Sequence, residues 1–289
     1  YMRSKKLYFI LGFGVICVGF SSILIRLTDA SPIVVATYRL ALSAIMVLPV
    51  YLSYKNKITL RESLSFIPLS IFLAAHFILW ISSLEFTTVA SSTVLVTTNP
   101  VFTPIFSYLF YHEKIRKELI LGIFVAMSGS VFIALSSNAS LVSSSHLLGD
   151  VLALLGAIAF SLYLAVGKGV REKFELLPFI FFTYTFTAII LLCVALITRQ
   201  NLFVYPKKTY FMLFLVAFIP QILGHTAYNY SLKYLTPSFL AVTLLGEPVI
   251  ATIAAFFILH ETPSVLEIIG AMLILTGIYI SARSASDKN

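Results

Sequence analysis

Glu247 is the acid that stands apart in this chain. Of the twelve Asp and Glu residues, the others lie in polar stretches or near the ends of apolar runs. Glu247 sits well inside one, roughly 16 Å along a helix. A carboxylate at that depth costs several kcal/mol unless it is paired, neutralised or hydrated in a cavity, so it reads as a seat for a cationic group or a proton. Arg39 is the one basic residue inside an apolar run, about 10 Å from that run's end, so the two charges fall at comparable depths. Arg39 suits substrate contact, a structural ion pair or a tie to backbone carbonyls.

Proline follows Glu247 directly. Pro248 removes a backbone donor and disturbs the helix one turn earlier, near Leu244, so Gly246-Glu247-Pro248 is a predicted break offering backbone groups as well as a carboxylate. Asn99-Pro100, with Pro104 one turn on, repeats the pattern; the plainer alternative is a pair of packing kinks. His76 and Trp80 are four apart and share a helix face, where an imidazole beside an indole can take a proton, donate to an anion or stack on a ligand. A second cluster is His225, Tyr228 and Asn229, with 225 and 229 again four apart. The bland reading of either cluster is a set of satisfied interhelical partners. The candidate substrate-binding residues are thus Glu247, Trp80, His76, Asn99, Tyr228, Asn229, His225 and Arg39, with Glu247 also the candidate for proton coupling. The hydroxyl-rich stretch Thr87, Thr88, Ser91, Ser92, Thr93, Thr97 and Thr98 is assigned mainly to packing, with one or two members at a cavity. His112-Glu113 and His260-Glu261 lack the second histidine of a zinc helix and are assigned to turns. Lys168 and Lys233 read as snorkelling side chains.

The elements that must hold these residues are membrane helices. Of 289 residues, 59% are hydrophobic and 11% charged, against roughly 45–50% and about 25% in soluble domains. Ten apolar runs are marked at 7–25, 32–53, 64–84, 88–111, 118–136, 148–167, 178–197, 209–231, 236–259 and 263–282. Each is long enough to cross a hydrocarbon core of about 30 Å, and their unbroken length excludes barrel strands. The first run follows Arg3, Lys5 and Lys6 but is too long for a signal peptide. The net charge of +8 is spread in short clusters between runs, so no nucleic acid partner is expected. With the N-terminus cytoplasmic, fifteen of the twenty Lys and Arg fall inside and only Arg26, Arg199, Lys207 and Lys208 outside; both termini are therefore predicted to be cytoplasmic. Cys17 and Cys193 have no metal-ligand spacing around them, so free thiols and no cofactor are expected.

A shift of 148 superposes Ser83-Leu84 on Ser231-Leu232, Val94 on Val242, Pro100-Val101 on Pro248-Val249, His112-Glu113 on His260-Glu261, Gly122 on Gly270 and Gly129 on Gly277. It also places Trp80 on Tyr228. Earlier echoes are weaker: Phe20-Ser21 with Phe160-Ser161, and Pro32 to Tyr38 with Pro178 to Tyr184. Five helices per half is an odd number, so the halves, 1–137 and 138–289, must run oppositely through the membrane. Inverted repeats of this kind mark secondary transporters, with substrate sites near the midplane. The fold class is thus all-α membrane protein, ten transmembrane helices in two inverted five-helix repeats.

On the helix count, the duplicated blocks Asn99-Pro100 to Gly129 and Glu247-Pro248 to Gly277, and Tyr38-Arg39-Leu40, the chain resembles the ten-helix branch of the drug/metabolite transporter superfamily, the EamA-type carriers. The resemblance implies a central cavity made mainly by helices 1, 3, 4, 6, 8 and 9, with helices 5 and 10 toward a peripheral interface. One departure is that Asn99 stands where the second repeat has Glu247. Another is His-Glu in both following turns, often Gly-Glu or Leu-Glu in such proteins. The expected activity is secondary active transport by alternating access of a small amino-group-bearing metabolite such as an amino acid. Export is the direction implied by the resemblance. No nucleotide-binding loop of the GxxxxGK[ST] type occurs, which argues against direct ATP coupling. The alternatives are an intramembrane enzyme, for which no motif joins the serines and histidines, and a channel, whose symmetric pore ring is not evident. The expected setting is the cell membrane, with lipid, a small-molecule substrate and protons as partners. Gly122, Gly129, Gly270 and Gly277 suit either a homodimer through helices 5 and 10 or contact within the chain.

Overall fold

The structure is a computed structural model that describes residues 2–87, 89–136, 144–259 and 262–286. The boundary expected at 137/138, Thr88, and the His260-Glu261 turn lie outside the described residues, as does the side chain of Ser91. Among the described residues the chain is helical, without strands. Its helices are α1 (Met2–Gly19), α2 (Ser21–Arg26), α3 (Pro32–Leu52), α4 (Leu60–Ser63), α5 (Ile67–Phe86), α6 (Val89–Val96), α7 (Asn99–Tyr111), α8 (Lys117–Ser136) and α9 (Ser144–Lys173), followed by α10 (Leu176–Ile197), α11 (Lys207–Val216), α12 (Thr226–Ser231), α13 (Pro237–Leu244), α14 (Gly246–Leu259) and α15 (Val265–Ser286).

Helix starts follow local chemistry. Pro32 opens α3 and Pro237 opens α13, where a missing N–H costs nothing. Thr59 and Glu62 form a reciprocal cap at α4. Ser264 and Glu267 do the same at α15, with the Ser264 N–H donating to Glu267 at 2.6 Å and the Glu267 N–H to Ser264 at 3.2 Å.

Among the described residues, eight helical stretches are long and apolar enough to cross a membrane: Lys5–Arg26, Pro32–Leu52, Leu60–Phe86, His146–Lys173, Leu176–Ile197, Lys207–Ser231, Pro237–Ile258 and Val265–Arg283. The fourth and fifth apolar runs form α6 with α7, and α8. The outer surface is apolar, with Phe9, Leu60, Ile197 and Phe203 each at least three-quarters exposed. Polar groups are turned inward instead: Ser21, Arg39, Ser43, His76, Asn99, Gln221, His225 and Asn229 are all buried. That is the distribution of a protein whose solvent is lipid.

Both expected breaks are present. α6 and α7 part at Thr97 and Thr98, and α13 and α14 part at Leu245, so the interruptions fall at positions related by the 148 shift. Pro100 and Pro248 cannot donate to the carbonyls four residues earlier, those of Val96 and Leu244, and their rings crowd them. Two irregularities were not read from the sequence. α1 and α2 are divided at Phe20, and between α11 and α12 the chain widens into π-helix over Ala217–His225, around Pro220. A π-turn relieves the proline clash and often marks a functional segment.

The main core unites α3, α5, α9, α10 and the π segment around Phe77, Phe160, Tyr163, Tyr184 and Tyr228. A smaller one, with Ala126, Val242, Leu245, Val249 and Ile274, joins α8, α13, α14 and α15. Here the four glycines are used within one chain. A Cβ on Gly122 would lie 2.6 Å from the Gly277 carbonyl, and one on Gly270 would lie 2.6 Å from the Gly129 carbonyl. The pairing is crosswise, so α8 and α15 run antiparallel and touch backbone to backbone.

Lys168 corrects the snorkelling reading. Its Nζ donates to the carbonyls of Leu232 at 3.0 Å, Lys233 at 3.1 Å and Leu235 at 3.3 Å. It also pairs with Glu172 at 3.3 Å. The ammonium thus caps the carboxyl end of α12, where unsatisfied carbonyls favour a cation. Arg171, also buried, adds bonds to the carbonyls of Asn229 at 3.0 Å and Phe174 at 2.6 Å.

Candidate functional site

The breaks and the inward polar groups meet at one partly open cavity, where about 420 Å³ is free of protein atoms, open solvent included. Val18 and Ser21 reach it from either side of the division at Phe20, and Arg39 reaches it from α3. His76, Phe77 and Trp80 come from α5, Phe160 from α9 and His225 from the end of the π segment. Val96, Thr97 and Asn99 surround the first proline break; Leu244 and Glu247 surround the second. Val96 and Leu244, whose carbonyls lose a donor to proline, are therefore both on the wall.

Six of the eight sequence candidates line this cavity: Glu247, Trp80, His76, Asn99, His225 and Arg39. Tyr228 and Asn229 are not among its lining residues. Tyr228 packs in the core against Gly14 of α1. Asn229 lies about 6 Å beyond His225 along the helix, where its Oδ1 accepts from Tyr163 at 2.6 Å and its Nδ2 donates to Tyr184 at 3.4 Å. Of the hydroxyl-rich stretch, Thr97 lines the cavity while its own hydroxyl returns to the Thr93 carbonyl at 2.7 Å. Ser92 pairs with Ser83 at 2.6 Å, and Thr87 donates to Asp150 at 2.8 Å. His112 sits at the end of α7 with φ 50°, consistent with a turn.

Arg39 is held rigidly. Its Nε donates to Gln221 Oε1 at 2.7 Å, its Nη1 donates to Ser21 Oγ at 2.8 Å, and its guanidinium carbon lies 4.5 Å from the centre of the Phe77 ring. The Arg39 side chain is tied by side chains, not by the backbone carbonyls the sequence reading allowed. Glu247 differs. It is half-buried, and among the described residues its carboxylate has no hydrogen bond or ion pair within 4 Å. The two opposite charges share a wall without touching.

Around them lies an aromatic cluster. His76 stacks on Trp80 at 5.7 Å and lies 4.6 Å from Phe160, while His225 meets Phe77 at 5.9 Å and Phe160 at 6.1 Å. His76 Nδ1 is 3.0 Å from the Gly156 carbonyl. A carbonyl only accepts, so Nδ1 carries the proton and Nε2 is the acceptor of the neutral ring. Among the described residues, two buried atoms of lining residues have no hydrogen-bond partner, Trp80 Nε1 and Asn99 Oδ1.

Gln221, Ser21, Phe77 and Phe160 were missed by the sequence reading. Gln221 had a signal: a primary amide in the middle of an apolar run, beside a proline, as with Asn99. Ser21 and Phe160 had a weaker one, since both fall in the Phe20-Ser21 and Phe160-Ser161 echo.

Known proteins agree with this architecture. The profile of the EamA-like transporter family matches residues 5–135 and again 147–283. An uncharacterized transporter of Clostridium kluyveri is 28% identical over 211 residues, covering 72% of this chain and 68% of its own. The uncharacterized transporter YyaM of Bacillus subtilis is 24% identical over 256 residues, covering 86% and 83%. A solved crystal structure superposes with a TM-score of 0.82 over 97% of this chain and 98% of its own at 14% identity, a likeness of fold alone. A family match over nearly the whole length, on a lipid-adapted helical bundle whose cavity is lined by aromatic and apolar side chains together with a few polar ones, has one consequence: the chain belongs to the EamA-like transporter family of the drug/metabolite transporter superfamily and is a multi-pass membrane transporter.

Proposed function

We propose that this protein is a secondary active transporter that exports a small amino-group-bearing metabolite, such as an amino acid, across the cell membrane by alternating access, with protons as the coupling ion. The observation that carries the reading is the Glu247 carboxylate. It faces an internal cavity at a proline break, without a bonded partner among the described residues, beside an arginine already held by other groups. A carboxylate so placed can hold a proton or a substrate ammonium, and exchanging one for the other couples their movements. His76, Trp80, Asn99, His225 and Arg39 shape the rest of the substrate site; Tyr228 and Asn229 act as supports behind it. The chemistry is binding and release, not catalysis.

Two five-helix repeats, 1–137 and 138–289, are part of the proposal. They are supported by the family profile matching twice, by breaks at repeat-related positions and by the crosswise glycine contact, the pattern a two-fold relation between halves produces. Ten crossings are supported by length. Val89 to Tyr111 spans about 34 Å and Lys117–Ser136 about 30 Å, enough for the hydrocarbon core. Both termini are cytoplasmic in this arrangement. A homodimer through α8 and α15 would use their outer sides, where Phe124, Leu135, Met272 and Tyr279 are exposed, because the glycine sides are occupied.

The test is solute counterflow in proteoliposomes for wild type and Glu247→Gln. The substituted protein is expected to fold, by its detergent-solubilised unfolding profile, and to lose transport or its pH dependence. Full transport with the normal pH profile would remove Glu247 from the mechanism.

A further inference from the structure

The end of α7 and one turn of α9 are joined by a hydroxyl. The phenol of Tyr111 donates to the Ala165 carbonyl at 2.9 Å and accepts from the Gly169 N–H at 3.0 Å. Those two groups, four residues apart, are the two members of one rung of an α-helix ladder. The phenol therefore competes with α9's own hydrogen bond, and when it leaves, the rung satisfies itself without orphaning a backbone group. Glycine is what admits the phenol, since a Cβ at 169 would lie 2.6 Å from the Tyr111 oxygen. Tyr111 is 42% exposed, so its ring can swing out without emptying a packed site. Such a contact can be made and broken at little cost.

Its place in the bundle gives the contact a use. Tyr111 lies about 18 Å beyond Asn99 along α7, Lys168 about 12 Å beyond Phe160 along α9, and Leu232 about 10 Å beyond His225 along α12. Asn99, Phe160 and His225 all line the cavity, so these three ends lie to one side of it, the side that the lysines and arginines assign to the cytoplasm. Lys168 ties the same turn of α9 to the carbonyls at the end of α12. Tyr111 instead crosses from the first family-matched stretch to the second. A second crossing tie is Ser238 Oγ, which donates to Glu113 Oε2 at 3.3 Å. The 148 shift puts Leu259 in the place of Tyr111, so the second half has no phenol there to make the same contact at the opposite end.

We propose that the Tyr111 hydroxyl is the latch of a cytoplasmic gate: bonded to Ala165 and Gly169 it holds α7 against α9 and shuts the cavity on that side, and it lets go when the cavity opens inward. Tyr111 is a positioning residue, remote from the substrate, that weights one state of the transporter against the other. This rests on the alternating-access reading above and deepens it by naming a contact that must part.

The test measures access to the cavity from each face. Thr97→Cys, on the cavity wall, is made the single cysteine of a full chain whose Cys17 and Cys193 are replaced by alanine. A membrane-impermeant methanethiosulfonate is applied to intact cells or to inside-out vesicles. Tyr111→Phe keeps the ring and deletes the hydroxyl. It should speed modification from the cytoplasmic face about fivefold, the scale of one net hydrogen bond, and should not raise it from the outer face. Gly169→Ala should do the same by pushing the phenol away. In the Tyr111→Phe background it should add nothing, because the next atom, the ring carbon that bears the hydroxyl, is 3.4 Å from the new methyl. Unfolding midpoints in detergent establish that the variants fold. Unchanged modification in Tyr111→Phe, whether slow or fast, would reduce the contact to packing and overturn the proposal. Acceleration from the outer face, alone or equal to that from the cytoplasmic face, would overturn it too, as would additive effects of the two substitutions. The broader reading fails separately, through normal transport by Glu247→Gln.

Discussion

Glu247 and Arg39 were legible because a charge within an apolar run is rare and expensive, and both do line the cavity. What the residue types alone did not reveal is that Arg39 is satisfied by Gln221 and Ser21, partners far from it in the chain. Spacing along one helix says nothing about contacts between helices. That bond makes a prediction. Gln221→Leu leaves the buried Arg39 Nε without an acceptor and should destabilise the protein by about 1–3 kcal/mol, read as a lower unfolding midpoint in detergent. Adding Arg39→Met should recover much of the loss, since removing both partners costs less than orphaning one. An unchanged midpoint in Gln221→Leu would show that the bond contributes nothing. Asn99→Ala should be milder in counterflow than Glu247→Gln, because it deletes an unpaired neutral acceptor and no charge.

At the scale of elements, proline and glycine were the readable letters. Pro100 and Pro248 announced breaks that the structure contains, two or three residues before each proline. The π segment around Pro220 was not foreseen, because Pro220 has no repeat counterpart to draw attention and a widened turn leaves no periodic signature. Pro248→Ala restores the donor that the Leu244 carbonyl lacks, so it should leave folding intact and reduce counterflow if the break serves transport. Glycine spacing marked close-packed faces, but their partner appears only in three dimensions. Gly270→Ala puts a methyl 2.6 Å from the Gly129 carbonyl, where backbone must shift. It should cost about 1–3 kcal/mol. Gly12→Ala is the control: nothing lies within 4 Å of its Cβ position, so it should be neutral or slightly stabilising. Equal effects of the two substitutions would mean that the glycine contact does not stabilise the bundle.

For the whole molecule, the loop between α7 and α8 distinguishes ten crossings from eight. Positive residues are retained on the cytoplasmic side, and that loop carries Lys114, Arg116 and Lys117. If α6 with α7 crosses once and α8 crosses back, the loop is cytoplasmic. If neither crosses, it lies outside, on the same side as the end of α5. Lys114, Lys55 and Asn201 are all exposed, so each can be made the single cysteine of a chain whose Cys17 and Cys193 have been replaced by alanine. A membrane-impermeant maleimide added to intact cells should label Asn201→Cys and spare Lys55→Cys. Lys114→Cys decides the count: protection requires ten crossings and lets the halves face opposite ways, as an odd number of helices in each demands. Labelling would reduce the crossings to eight, three in the first half against five in the second, and break the equivalence of the two repeats. The crosswise glycine pairing would then be a local contact between two helices and no longer the signature of a duplicated, rocking pair of halves.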